Sequence, residues 1–282
     1  MTMSSATIKL FLPFGDAKRL RTAEISNWSG KAIAAPRTDL DDLLGREEAG
    51  KAGVYLLLGT DLDTGKPAAY VGEAEVVRDR LKQHKEKEFW VSAVFFVSKD
   101  ENLTKAHIRY LEGRLIEEAK KAERYTIQNS QSGGSRLPES DREDMEVFLM
   151  RIRQLLPVLG ADVLMPIGEV AQQQKSSWLR CECKGAVGKG QRTVNGFVVF
   201  KGSTAVEQER PSAKKQHPFV VVLRQNLIAE ETLVSQNGFL IFTRDAEFTS
   251  PSTAAAVIHG GGANGLTGWR DEAGKTLKEI EA

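Results

Sequence analysis

Between Gly53 and Asn129 the chain gathers Tyr55, Tyr70, Arg80, His84, Glu112 and Asn129. Arg80 and His84 are four residues apart in AEVVRDRLKQHKEKE, so a helix there puts them on one row and lets both reach one point. Val77 and Leu81 form the apolar row beside them. Glu112 is four residues from both Ile108 and Ile116 in LTKAHIRYLEGRLIEEAKKA, so it sits within that segment's apolar face. A carboxylate in such a place has to be paired, bound to a metal or protonated, because desolvating a lone charge is costly. Hydrolysis of a phosphodiester needs an activated water, a clamp for the phosphate and help for the leaving oxygen. Carboxylate, guanidinium, phenol, imidazole and amide groups are side chains suited to those tasks.

Each residue also has an ordinary reading. A strand tyrosine is commonly a packing residue. Arg80 and His84 also fit a solvated helix face with a histidine at its rim. Glu112 also fits a salt bridge to a buried arginine, and Arg80 is itself a possible partner.

The elements that would position these groups are legible. AGVYLLLG and PAAYVG flank a loop holding Asp61, Asp63, Gly65 and Pro67, so they are expected to form a β-hairpin. Alternation turns Val54, Leu56 and Leu58 one way and Tyr55 and Leu57 the other. Whether Tyr55 and Tyr70 share a face depends on a register that the sequence leaves open. FWVSAVFFV is an expected strand, and Thr104 is a good N-cap for the helix that carries Glu112.

Gly53-Val54-Tyr55, Tyr70-Val71-Gly72, Arg80 and His84 in RLKQH, Glu112 in YLEGRLIE, and Asn129, in that order, resemble the GIY-YIG nuclease family. The resemblance closely covers about a quarter of the chain. It implies an α+β fold in which a small three-stranded antiparallel sheet, flanked by helices, carries the two tripeptides on its first two strands. It also implies that Glu112 holds a divalent metal ion, Mg2+ or Mn2+, and that Asn129 orients substrate or a water. Valine replaces isoleucine in both tripeptides. Glu73 stands where members often have a small or polar residue. Tyr55, Tyr70 and His84 share the proton-transfer roles without a division readable from sequence. His84 is the more natural base at neutral pH.

Around this stretch the organisation is expected to run as follows. Residues 1–46 form a short β unit, with Trp28 in its core, and a helix in TDLDDLLGREEAG capped by Thr38 or Asp39. Residues 47–160 form the nuclease-like domain. Its trailing helix has Met145, Phe148, Leu149, Ile152, Leu155 and Leu156 on one face and is ended or kinked by Pro157. Residues 161–177 are a polar linker. Residues 178–282 form a small α+β domain, with WLRCECKG and TVNGFVVFKGST as hairpin strands joined by GAVGKGQR. PFVVVLRQNLIAEE suits either a helix or a strand followed by a helix. SPSTAAAVIH is a Ser-capped helix before a glycine-rich loop.

GFVVFKGSTA and FTSPSTAAAVIHGGGANGLTGWRDEAGKTL look like a domain of unknown function found behind some GIY-YIG nucleases, and are similar to a domain associated with restriction-system adenine methylases. That resemblance implies DNA binding, with Lys201, Lys214, Lys215, Arg224, Arg244 and Arg270 as phosphate contacts. The formal net charge is +1, so any DNA contact relies on local patches. No apolar run approaches the roughly 18 residues of a membrane span. Cys181 and Cys183, one residue apart, are poor disulfide partners and no zinc cluster surrounds them. A cytoplasmic location is expected.

The expected activity is a divalent-metal-dependent DNA endonuclease, a phosphodiester hydrolase acting in restriction, repair or mobile-element defence. The alternative is a DNA-binding protein whose nuclease domain is inactive. An interaction module would not need a carboxylate on an apolar helix face.

Overall fold

The computed structural model describes residues 5–129, 134–167, 178–193 and 196–282. The chain is α+β and divides into two compact units, Met1–Met165 and Pro166–Ala282. The greater part of the expected linker, residues 168–177, and the SQSG run at 130–133 lie outside the described residues. Among the described residues no helix is long and apolar enough to cross a membrane.

In the first unit, strands β1 (Ile8–Phe11), β2 (Arg21–Ile25) and β3 (Gly30–Pro36) precede helix α1 (Leu40–Gly45). Then come β4 (Gly53–Thr60), β5 (Pro67–Ala74), α2 (Val77–Gln83), β6 (Trp90–Ser98), α3 (Lys105–Ala122), β7 (Thr126–Ile127) and α4 (Glu139–Val158). The strands make one sheet in the order β1-β2-β3-β6-β4-β5-β7. Every neighbouring pair is antiparallel except β5 with β7. The short β unit expected ahead of the hairpin is therefore part of the same sheet, because β3 pairs with β6 over its whole length.

Both faces of this sheet are covered, which is why β4 is apolar at nearly every position. Val54, Leu56, Val71 and Phe96 pack under Ile108, Leu111, Leu115 and Ile116 of α3 and Phe148, Leu149 and Ile152 of α4. Trp28 joins this side, its ring 4.8 Å from that of Phe148. Tyr55, Leu57, Phe95 and Val97 face the other way, against Leu40, Leu43 and Leu44 of α1 and Val77 and Leu81 of α2. Asp39 precedes α1 without capping it. Its carboxylate accepts from Arg19 Nε at 3.0 Å and from the Leu20 amide at 3.2 Å. Thr104 caps α3 in a box closed by His107. Pro157 lies inside the last turn of α4.

In the second unit β8 (Leu179–Cys183), β9 (Ala186–Thr193), β10 (Gly196–Val199) and β11 (Thr204–Val206) lead to α5 (Ala213–Gln216) and α6 (Pro218–Ala229). After these come β12 (Leu233–Gln236), β13 (Phe239–Phe242), β14 (Ala246–Phe248), α7 (Pro251–His259), α8 (Gly265–Gly268) and α9 (Leu277–Ile280). The sheets are β14-β10-β9-β8 and β11-β13-β12. AVGKGQR lies in a strand, β9, and not in the expected connecting loop. A side chain on Gly188 would fall 2.2 Å from Ile258 Cδ1, and one on Gly190 would fall 2.3 Å from the Val198 carbonyl. Close packing, not a turn, accounts for these glycines. PFVVVLRQNLIA is a helix with Pro218 at its first position. It has apolar residues on exposed and buried sides alike, which left its period unreadable.

Candidate functional site

The register settles the relation of the two tyrosines. Tyr55 is opposite Gly72 and Leu57 opposite Tyr70, so Tyr55 and Tyr70 are a diagonal pair on the same face. Their ring centroids are 6.2 Å apart. The glycines of both tripeptides have a packing cause. A Cβ on Gly72 would lie 2.3 Å from the Tyr55 hydroxyl, and one on Gly53 would lie 2.3 Å from the Phe96 carbonyl.

His84 follows α2 in a single 3-10 turn and is buried between the tyrosines. Its Nε2 is 2.8 Å from the Tyr55 hydroxyl, and its ring centroid is 5.0 Å from that of Tyr70. Burial, reinforced by Lys87 and Arg80, pushes the His84 pKa down to about 4. Burial, with a smaller contribution from Tyr70, raises that of Tyr55, and Arg80 opposes part of the rise. Near neutral pH the pair is therefore an uncharged imidazole and an uncharged phenol. The lowered pKa makes His84 a weaker base than a free imidazole. His84 Nδ1 is buried with no hydrogen-bond partner among the described residues. We assign the ring proton to Nε2, since that leaves a lone pair unmatched and not an N–H. Nε2–H then donates to Tyr55, whose own hydroxyl proton is free to donate onward.

Tyr55 is fully buried, whereas Tyr70 is partly exposed, so Tyr70 is the phenol at the surface. Arg80 interacts with both hydroxyls, and these raise its pKa. Its Nη1 donates to Gln83 Oε1 at 2.7 Å, and it has no carboxylate partner among the described residues. Tyr55, Tyr70, Arg80 and His84 are thus brought together.

Glu112 belongs to α3, which covers the opposite face of the sheet. β7 pairs with Ala68 and Ala69, and among the described residues β5 from Gly72 onward has no outer strand. Glu112 is half-buried and feels Arg80 electrostatically. Burial, then the Glu73 carboxylate, raises its pKa, and Arg109 and Arg80 oppose the rise. Among the described residues it has neither hydrogen bond nor ion pair, so no salt bridge to Arg80 accounts for it. A half-buried carboxylate without a protein partner, beside a second carboxylate, fits a divalent cation. Among the described residues no group of three or more His, Cys, Asp or Glu could hold a metal, so water and substrate would complete the shell, as magnesium prefers.

Both polar atoms of the Asn129 side chain bond the β5 backbone. Its Oδ1 accepts from the Val71 amide at 3.0 Å and its Nδ2 donates to the Val71 carbonyl at 2.7 Å. The side chain mimics a strand and holds β5 in place.

Sequence reasoning passed over Lys87 and Arg37. Lys87 Nζ is 4.2 Å from the Tyr70 ring centroid. Arg37 donates to the carbonyls of Lys85, Lys87 and Trp90 and stacks 4.5 Å from the Trp90 ring. The charge-rich run RLKQHKEKE hides one informative lysine among several, and no local pattern links Arg37 to it.

In the second unit, Arg224 is buried and donates to the carbonyls of Val206, Glu207 and Val257. It staples three segments and cannot contact phosphate. Arg244 donates to Thr232 Oγ1 and Arg270 to the Gly274 carbonyl. Lys201, Lys214 and Lys215 are exposed, and their ammonium groups have no partner among the described residues.

Residues 179–281 match the family described as Domain of unknown function (DUF4357), the segment expected to be such a domain. No curated protein and no solved structure matches the chain.

Proposed function

We propose that the protein is a divalent-metal-dependent endonuclease that hydrolyses DNA phosphodiester bonds, with Tyr55, Tyr70, Arg80, His84 and Glu112 as its working groups. The observation that carries this reading is a site with two poles. Arg80 and Lys87, neither with a carboxylate partner among the described residues, lie beside the Tyr55–His84–Tyr70 cluster. Glu112, also without a partner among the described residues, is electrostatically coupled to Arg80 and to Glu73. One pole suits a phosphate and the other the cation that accompanies it.

Glu112 would hold Mg2+ or Mn2+, with Glu73 adding negative charge beside it. When bound, the ion supplies Lewis-acid charge at a phosphoryl oxygen and lowers the pKa of its water. Arg80 holds non-bridging oxygens through its planar fork. Tyr70, at the surface, positions the attacking water or the leaving oxygen. Tyr55 and His84 form the buried hydrogen-bonded support that orients Tyr70 and excludes water behind it. Asn129 fixes the strand that carries Tyr70. In the second unit Lys201, Lys214 and Lys215 supply auxiliary phosphate contacts.

Supercoiled plasmid, methylated and unmethylated duplexes and branched DNA are incubated with protein plus Mg2+ or Mn2+. Nicking or linearisation is expected, and none with Glu112→Gln. Substrates that stay intact under every condition, while still binding, would establish the alternative of a DNA-binding protein with an inactive nuclease domain.

A further inference from the structure

The loop after α2 is held more firmly than a solvent-facing loop requires. Trp90 Nε1 donates to the His84 carbonyl at 3.0 Å, and Arg37 grips the carbonyls of Lys85, Lys87 and Trp90. The Lys87 amide donates to the His84 carbonyl at 3.1 Å. The backbone on both sides of Lys87 is therefore fixed, and its ammonium lies on the face of Tyr70.

Nearby lysines have carboxylates: Lys82 with Asp79, Lys85 with Asp41 at 3.1 Å and Lys105 with Glu75 at 2.6 Å. Lys87 has none among the described residues. Its charge is opposed by partial burial and by Arg80, which together lower its pKa. Two cations held near one another without an anion are unfavourable in the free protein, and an incoming anion relieves this.

We propose that Lys87 is a substrate contact: with Arg80 it forms a two-cation cradle, beside His84 and Tyr70, for the phosphate of a nucleic-acid strand. This inference rests on the nuclease reading, which it deepens by naming the group that holds the substrate. Arg80 supplies a planar fork for two oxygens. Lys87 supplies a compact charge that moves from the Tyr70 ring to a third oxygen or to the neighbouring phosphate. Arg37 is the positioning residue for this contact.

The test compares Lys87→Met with Lys85→Met, whose lysine sits on the same loop but points to Asp41. Binding of a short DNA duplex is titrated over a series of salt concentrations with EDTA present, so that nothing is cut. For Lys87→Met, about tenfold weaker binding and a salt slope lower by about one unit are expected, as for loss of one phosphate contact. Lys85→Met should stay close to wild type. In a parallel cleavage assay Lys87→Met should lower kcat/KM by tenfold or more, and Lys87→Arg should recover part of it. Equal binding, salt slope and cleavage for the two methionine variants would overturn the proposal. If wild-type protein cuts nothing, the nuclease reading fails, and the binding comparison still decides whether Lys87 contacts phosphate.

Discussion

The Tyr55 hydroxyl lies 2.8 Å from Nε2 of His84, and both side chains are buried. Protonating this imidazole means placing a charge in a closed space already bordered by Lys87 and Arg80, which is why its pKa falls from 6.5 to about 4. Between those two values the unfolded chain binds the proton more readily than the folded protein does. The stability contribution is complete above pH 6.5 and is lost as pH falls toward 4. At about 1.4 kcal/mol per pKa unit it is on the order of 3 kcal/mol. Chemical denaturation at pH 4.5, 5.5 and 7 should show stability rising with pH in the wild type and a flatter profile in His84→Gln. An unchanged profile would mean that His84 is open to water.

Much of this cluster was legible because it is local. Alternation along β4 and β5 and the four-residue spacing of Arg80 and His84 follow from strand and helix geometry. The shared face of Tyr55 and Tyr70 was not, because a register shift of one residue reverses it. Glu112 stands out as a charge in an apolar row, yet only the fold shows that it lacks a partner among the described residues. Asn129 was read by order alone, and its bond to Val71 spans fifty-eight residues of chain. The glycines of β9 looked like a turn because the side chains that crowd them, Ile258 and Phe197, come from other elements.

Gly72 links the second tripeptide to the buried hydrogen bond. An added methyl would lie 2.3 Å from the Tyr55 oxygen and ring carbon, inside van der Waals contact. Either the tyrosine tilts away from His84 or β5 shifts. Gly72→Ala should cost about 1–3 kcal/mol, the range for overpacking a dense core. The double variant Gly72→Ala with Tyr55→Phe should cost less than the sum of the singles, since the phenylalanine lacks one of the clashing atoms and is free of the bond to His84 that holds the ring in place. Additive losses in a denaturant series would place the clash elsewhere.

Arg37 acts at a distance from the chemistry. It holds three carbonyls of the loop that carries His84 and Lys87 and stacks on Trp90. Arg37→Met keeps an apolar stem against Trp90 but releases the carbonyls, so the loop should loosen without global unfolding. Faster amide exchange confined to residues 84–90 and a fall in kcat larger than the rise in KM are expected. Unchanged exchange in that loop would show the grip to be dispensable.

Glu112 gives the sharpest separation of fold from function. Burial and Glu73 raise its pKa above the ordinary 4.5, so the folded protein holds that proton more tightly than the unfolded chain. Below pH 4.5 the group is protonated in both states and contributes nothing. Between 4.5 and the raised value the unfolded chain has given up its proton and the folded protein still holds it, so stability falls as pH rises, and the loss is complete above the raised value. Glu112→Gln is nearly isosteric and carries no charge, so it should match the wild type at low pH and exceed it in stability near pH 7 without metal. Adding Mg2+ or Mn2+ should stabilise the wild type, since a ligand that binds only the folded state does so, and should leave the variant unmoved. Cleavage should be lost in the variant at every metal concentration. A variant that melts lower at pH 7 would make Glu112 a structural partner, and a metal response equal to wild type would remove it from the metal site.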